Sequence, residues 1–296
     1  MNIYLLELNI LGREFMKIEK FSLICVAVLA GSQMLLAEEE SIAQVEVKEG
    51  YASDTEALAK AVQNPVASMI SLPLQNNINT GIGPNDETQN ILNIQPVWPI
   101  ELNDEWNLIT RTIIPVVSQP NILTGGEGRI NGLGDTTFTA FVSPANAGKI
   151  IWGAGPVFLL PTATDEKLGS DKWGAGISAV VLTMPGRWVI GSLVNNIWSV
   201  GGPGEKDVNS FLWQYFVNYN FDEGWYFTSA PIITANWEAD SDHRWTVPFG
   251  GGFGKVFKIG KQPMNAQLSA YRNVVTPDDY GADWQFRVQL QFLFPK

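Results

Sequence analysis

The amino-acid sequence predicts an all-β fold: an antiparallel transmembrane β-barrel of about twelve strands, with a short helix before the first of them. Three observations predict it. Charged residues make up only 17% of the chain, against roughly 25% in an ordinary soluble domain, while aromatic residues reach 11%. Beyond residue 40 every apolar run is short, so the ~20 apolar residues of a helical membrane span are missing. From Val66 onward, segments of roughly 10–14 residues alternate in polarity with a period of two, and turn-rich pieces separate them.

The N-terminus precedes this pattern and differs from it. Lys17 and Lys20 lead into an apolar run from Phe21 to Ala30, and Met34-Leu35-Leu36-Ala37 ends in a small residue before Glu38-Glu39-Glu40. That order is a secretory signal over residues 1–37, with Met16 the better start because it sets both lysines just after initiation. The competing reading, an anchor helix, has against it the short apolar run and the acidic cluster that ends it. Cys25, the sole cysteine, falls inside this leader, and Ile24 stands where lipoprotein processing needs a small residue. The processed chain therefore has no disulfide and no thiol. Residues 1–37 hold three charges of each sign, so processing leaves the net charge at −11. That sign argues against a nucleic-acid partner.

Residues 38–65 form an N-terminal segment. Ser53-Asp54-Thr55-Glu56 has the form of a capping box, in which a serine hydroxyl and a glutamate satisfy free amides of the first turn. Ala57, Leu58, Ala61 and Val62 then recur at helical spacing, and Asn64-Pro65 stops the run. Two readings stand for this short amphipathic helix: a loose periplasmic tail, or a plug for the barrel.

Residues 66–296 form the barrel. Strands are expected near 66–78, 88–101, 105–117, 132–143, 148–161, 171–184, 187–199, 208–221, 224–237, 244–258, 262–274 and 282–294. The last is the clearest: Trp284, Phe286, Val288, Leu290, Phe292 and Phe294 share one face, and Gln285, Arg287, Gln289 and Gln291 share the other. The count is even, as a closed barrel with both ends on one side requires. Connections alternate too. Short turns at 102–104, 144–147, 185–186, 222–223 and 259–261 lie between longer links at 79–87, 118–131, 162–170, 200–207, 238–243 and 275–281. This asymmetry fits periplasmic turns, outward loops and periplasmic termini. Trp98, Trp106, Trp188, Trp225, Tyr226, Trp245 and Trp284 lie near strand ends, where amphipathic rings sit at headgroup level. Pro73, Pro96, Pro115, Pro156, Pro231 and Pro248 fall inside strand runs, so bulges or breaks in pairing are expected there. Lys255 shares parity with lipid-facing Phe253 and belongs at a rim, where it can reach headgroups.

The opposite parity defines the lumen. Asn93, Gln95, Asn107, Arg111, Asp135, Gln214, Asn218, Gln267, Gln285, Arg287 and Gln289 are the candidate solute-path residues. Hydrocarbon cannot satisfy such groups, so they must meet water, one another or a plug. Amides hydrate a pore without strong charge selectivity. Arg111, Arg287 and Asp135 are the charged members; they form either a structural ion network or a solute-selecting one.

Catalytic chemistry finds little support. A barrel hydrolase needs Ser, His and an orienting group. The sole histidine, His243, sits in Asp240-Ser241-Asp242-His243-Arg244, a solvated-loop composition without the His-x-Ser-Asn-Gly order of outer-membrane phospholipases. No zinc-type spacing exists, Gly254-Lys255 lacks the rest of a phosphate loop, and acidic loop residues such as Asp240 and Asp242 read as solvation. No cofactor is expected.

Several motifs carry a family resemblance. Asn64-Pro65-Val66-Ala67-Ser68-Met69-Ile70-Ser71-Leu72-Pro73-Leu74-Gln75-Asn76-Asn77 is followed by Leu92-Asn93-Ile94-Gln95-Pro96-Val97-Trp98-Pro99, Gly132-Leu133-Gly134-Asp135 and Leu160-Pro161-Thr162-Ala163-Thr164. Asn218-Tyr219-Asn220, Gly224-Trp225-Tyr226 and Gly260-Lys261-Gln262-Pro263 complete the series. Together they resemble bacterial outer-membrane β-barrel proteins labelled "transporter" and often mislabelled neuromedin U. They are also similar to the meta-pathway phenol-degradation barrel proteins. The resemblance spans the processed chain and implies a non-enzymatic outer-membrane transport role with no substrate attached. The expected function is passive passage of small solutes through an amide-lined lumen; the alternative is a non-conducting barrel acting through its extracellular loops. Partners would be outer-membrane lipid, a small solute (hydrophobic or aromatic among the options), and barrel-assembly machinery engaging the C-terminal strand.

Overall fold

The computed structural model describes residues 55–121 and 128–295. The leader and the Ser53 cap lie outside them. A helix covers residues 57–62 and the two before it, with Lys60 Nζ bonded to Glu56 Oε1 at 3.0 Å one turn away.

Fifteen strands follow: β1 (Ile70–Ile82), β2 (Glu87–Ile94), β3 (Val97–Glu101), β4 (Trp106–Pro120), β5 (Arg129–Leu133), β6 (Thr136–Pro144), β7 (Ile150–Leu160), β8 (Trp173–Thr183), β9 (Trp188–Gly201), β10 (Asn209–Asn220), β11 (Trp225–Ser229), β12 (Ile232–Asn236), β13 (Trp245–Ile259), β14 (Gln262–Val275) and β15 (Trp284–Phe294). Three pairs, β2/β3, β5/β6 and β11/β12, are single staves broken in the middle, so the sheet is a closed antiparallel barrel of twelve staves. Closure is made by β1 against β15, in register from Ile70↔Phe294 to Thr80↔Trp284. A closed sheet has no unpaired edge, the condition for strands to cross a membrane.

The breaks fall where proline removes a ladder donor. Pro96 separates β2 from β3, and Pro231 separates β11 from β12. The third break, at Gly134-Asp135, faces Pro115, whose carbonyl still accepts from Gly134 N at 2.9 Å. Pro248 coincides with a register shift between β13 and β14.

The first strand begins at Ile70, four residues later than the expected 66. Turns anchored on Asn64 hold the intervening chain, whose Oδ1 accepts from Val66 N at 3.0 Å and whose carbonyl accepts from Ala67 N at 3.2 Å. β1 also runs on to Ile82, past a bulge after Asn79, so the first long link shrinks to residues 83–86. This first link is no longer than the short turns, but the other long links remain, and beyond it short turns alternate with longer loops.

Exposure is inverted relative to a soluble protein. Ile177 and Phe249 are each 68% exposed, whereas Asn265 and Arg287 are each 2% exposed. A continuous outer belt of this kind, with Val181, Trp198 and Leu268 also exposed, suits hydrocarbon rather than water. At the short-turn end Lys255 Nζ lies 4.8 Å from the Trp225 ring centroid, a cation held at an aromatic girdle.

The ladder tolerates no added bulk at Gly155, where a Cβ would overlap the Ala140 carbonyl on the neighbouring stave. Gly155→Val is expected to block pairing of β6 with β7 and leave the barrel unassembled. The readout is loss of the fast-migrating folded band on unheated gels; a normal folded band at wild-type yield would refute it.

Candidate functional site

One interior face of the barrel is amide-rich. On β15, β1 and β14, the inward residues Gln75, Asn77, Asn265, Ser269, Arg287 and Gln291 are all buried. From Arg287 a belt of side-chain hydrogen bonds crosses the neighbouring staves. Arg287 Nη2 donates to Gln285 Oε1 at 3.1 Å, Gln285 Nε2 to Asn79 Oδ1 at 3.2 Å, and Asn79 Nδ2 to Gln89 Oε1 at 2.9 Å. Gln89 Nε2 then donates to Gln119 Oε1 at 2.9 Å, and Gln119 Nε2 to the Lys167 carbonyl at 3.0 Å. This belt runs from β15 across β1, β2 and β4 to a long loop, every donor pointing the same way. Such cross-strand polar networks satisfy groups that would otherwise be costly in a low-dielectric setting.

The facing interior is apolar. Ile109, Phe141, Val180, Leu182, Val189, Leu193 and Phe216 form one buried cluster, and Val66 of the N-terminal segment packs within it. The helix seats separately. Ala59 is buried against Tyr226 and Val256, with Leu58 and Val62 beside them. Gln63 fixes the junction: its Nε2 donates to Asn220 Oδ1 at 2.8 Å, and Asn220 Nδ2 returns to Gln63 Oε1 at 3.3 Å.

Residues 61–65, Ala67 and Met69 meet the amide face around a cavity of about 160 Å³. Of the sequence-nominated residues, Gln95, Arg111, Gln214, Asn218, Gln267, Arg287 and Gln289 line it. Gln285 opens instead onto a second cavity toward the loops, shared with Asn79 and Gln119. Asn107 borders a hollow at the short-turn end beside Ser68, and Asn93 pairs in register with Gln75. Asp135 stands apart from all of these. Its carboxylate accepts from Ser170 N at 2.7 Å, Ser170 Oγ at 2.9 Å and Ala163 N at 3.2 Å, so it anchors the 161–172 loop. The ionic network joining it to Arg111 and Arg287 is not formed. The break at Gly134-Asp135 removes Asp135 from the strand parity that placed it with them.

Reading by parity passed over Gln75, Asn77 and Tyr226. Gln75 and Asn77 carry the same alternation as β15. Tyr226 was assigned to an aromatic girdle by its position near a strand end. It is buried instead, and its hydroxyl donates to Asn265 Oδ1 at 2.8 Å.

The loop histidine and serine are not paired with each other. Ser241 Oγ donates to Asp242 Oδ1 at 2.9 Å rather than to His243, and the imidazole stacks on Tyr280 with ring centroids 5.5 Å apart.

Gln63→Ala is expected to leave the buried Asn220 carbonyl oxygen without its donor. The cost should be about 1–3 kcal/mol, read as a lower midpoint of urea unfolding; an unchanged midpoint would show that the pair contributes nothing.

No family model and no curated relative matches the chain. Solved structures do. An outer membrane channel from Pseudomonas putida F1 superposes with a TM-score of 0.59 at 21% identity, covering 78% of this chain and 96% of that one. The toluene transporter TodX of Pseudomonas putida gives 0.42 at 9% identity over 82% and 92%. Outer membrane phospholipase A of Escherichia coli gives 0.38 at 10% over 77% and 96%. The first of these shows the fold: this chain has the barrel architecture of outer-membrane proteins.

Proposed function

We propose that this protein is an outer-membrane channel for passive passage of small solutes, with residues 55–69 narrowing its lumen from the periplasmic side. One observation carries the reading: the N-terminal segment and the amide face together bound a cavity inside a closed barrel, rather than filling the interior solidly. Roughly eight staves leave an interior filled by side chains, and roughly 16–18 leave an open aqueous pore. Twelve staves leave room for both a lumen and a segment within it. The similar fold of a Pseudomonas putida protein described as an outer membrane channel agrees with this reading.

Partners follow from the surface. The apolar belt takes outer-membrane lipid, and the C-terminal strand is the segment we assign to barrel-assembly machinery. The alternative, a non-conducting barrel acting through its outward loops, leaves this internal cavity without a role. The test is osmotic swelling of proteoliposomes in isotonic small neutral solutes. Swelling faster than protein-free vesicles supports a channel; swelling equal to them, with folded protein verified on gels, favours the loop-acting alternative.

A further inference from the structure

We propose that Arg111 and Arg287 form a subsite for the carboxylate of a small organic anion whose body occupies the cavity they share. This rests on the channel reading and names the class of solute the lumen holds.

Both guanidinium groups line the same cavity, and neither has a carboxylate partner among the described residues. Asp135, the acid nearest to a partner by sequence, is committed to Ser170 and Ala163. Each guanidinium carries five N–H donors in a planar fork. Arg287 donates through Nε to Asn77 Oδ1 at 3.1 Å, through Nη1 to the Ala230 carbonyl at 3.0 Å and through Nη2 to Gln285 Oε1 at 3.1 Å. The Ala230 carbonyl is free to accept because the stave breaks there, between β11 and β12. These bonds and the Tyr271 ring, 4.9 Å from the guanidinium carbon, hold Arg287 in place and leave two N–H groups unassigned. Among the described residues Arg111 donates one hydrogen bond, to Gln95 Oε1, which leaves four N–H groups.

Arg287 is buried and Arg111 half-buried; two such like charges without a counter-charge among the described residues are electrostatically incomplete, and neutral amides do not complete them. A carboxylate matches the fork in shape and supplies the missing sign. The net charge of −11 does not forbid this. Loop carboxylates act through water, where screening limits their reach to about 8 Å at physiological ionic strength, whereas charges inside the barrel, buried or half-buried, are screened less. The cavity sets the size of the remainder. Its volume is about 160 Å³, and its mostly polar walls include Phe216, Val97 and Met69 as an apolar patch; a cavity of about 150 Å³ is large enough for a benzene ring. The subsite therefore takes a carboxylate on a body of about one six-membered ring.

The test is calorimetric titration of the refolded protein, in an uncharged maltoside detergent, with benzoate, with benzamide as its neutral counterpart, and with inorganic phosphate. Benzoate is expected to bind at least tenfold more tightly than either. Arg111→Gln should weaken benzoate tenfold or more without changing benzamide, and Arg111→Lys should recover part of the loss. Absent benzoate binding, equal affinity for benzoate and benzamide, or tighter binding of phosphate overturns the proposal. Arg287→Gln should act like Arg111→Gln, but it also removes the bond to Ala230. The Arg111 variants and the wild-type comparison of ligands keep the test decisive if that variant does not fold. Parallel swelling assays separate the two readings: a barrel that conducts without preferring benzoate sinks the subsite alone, and one that binds benzoate but never conducts sinks the channel alone.

Discussion

Deleting residues 38–67 is expected to raise single-channel conductance several-fold in planar bilayers. The segment touches the barrel interior at three separate places: Ala59 against Tyr226 and Val256, Gln63 against Asn220, and Val66 within the Ile109–Phe216 cluster. Removing it vacates the side of the cavity formed by residues 61–67 and exposes the amide face of β14, β15 and β1 to water along its length. The ladder itself is untouched, because β1 begins at Ile70 and closes on β15 without help from the segment. Stability should still fall. Burial of a side chain such as Val66 is worth about 1.5–3 kcal/mol, so the truncated barrel should unfold at lower denaturant while keeping its folded gel mobility. Conductance equal to that of the intact protein, in a barrel shown to be folded, would mean that the constriction lies elsewhere. The two lumen arginines, Arg111 and Arg287, would then be the next place to look.

Much of this architecture is legible in the sequence, and the reasons differ by strand. β15 reads cleanly because its two faces meet different surroundings: Phe286 and Phe294 are exposed on the outside, and Arg287 and Gln291 are buried within. A period of two survives wherever inside and outside demand opposite polarity. β8 and β9 do not meet that condition. Val180 and Leu182 are buried while Val181 between them is exposed, so three apolar residues in succession hide which face is which. The apolar half of the interior was therefore invisible to a rule of polar inside and apolar outside. That half is also where Val66 docks. A contact between a pre-strand segment and residues more than forty positions away leaves no local trace.

Breaks within staves were foreseen only in kind. Six prolines lie in strand runs, yet the staves divide at Pro96, at Pro231 and opposite Pro115, while Pro156 stays inside β7. Whether a missing N–H interrupts pairing depends on which neighbour would have received it, and that is fixed by register across the sheet. Asp135 shows the consequence. Its residue type suited the lumen, but the break beside it turned its carboxylate toward Ser170. Among the candidate solute-path residues, Gln95, Arg111, Gln214, Asn218, Gln267, Arg287 and Gln289 still share one cavity, Gln95 although it lies at a break.

The second large effect is expected at Tyr226. The ring is 1% exposed and supports Ala59 of the helix on one side, while its hydroxyl donates to Asn265 in the amide face. It is thus the one described side chain that belongs to both the helix seat and the polar wall. Gly254 makes room for it, since a Cβ there would overlap the phenol ring. Tyr226→Ala removes a large buried ring from a site that the surrounding ladder prevents from collapsing. Truncations of buried aromatic side chains cost about 3–5 kcal/mol, and the loss should appear as earlier unfolding in urea. Tyr226→Phe keeps the ring and deletes only the hydrogen bond, which leaves the buried Asn265 oxygen without its donor at a cost of about 1–3 kcal/mol. The pair of variants separates two roles. If the ring seats the helix, Tyr226→Ala raises conductance toward that of the truncated barrel and Tyr226→Phe leaves it near wild type. If the hydroxyl orders the amide wall instead, both variants shift conductance alike. Equal unfolding midpoints for the two would contradict the packing argument, because only one of them leaves a cavity.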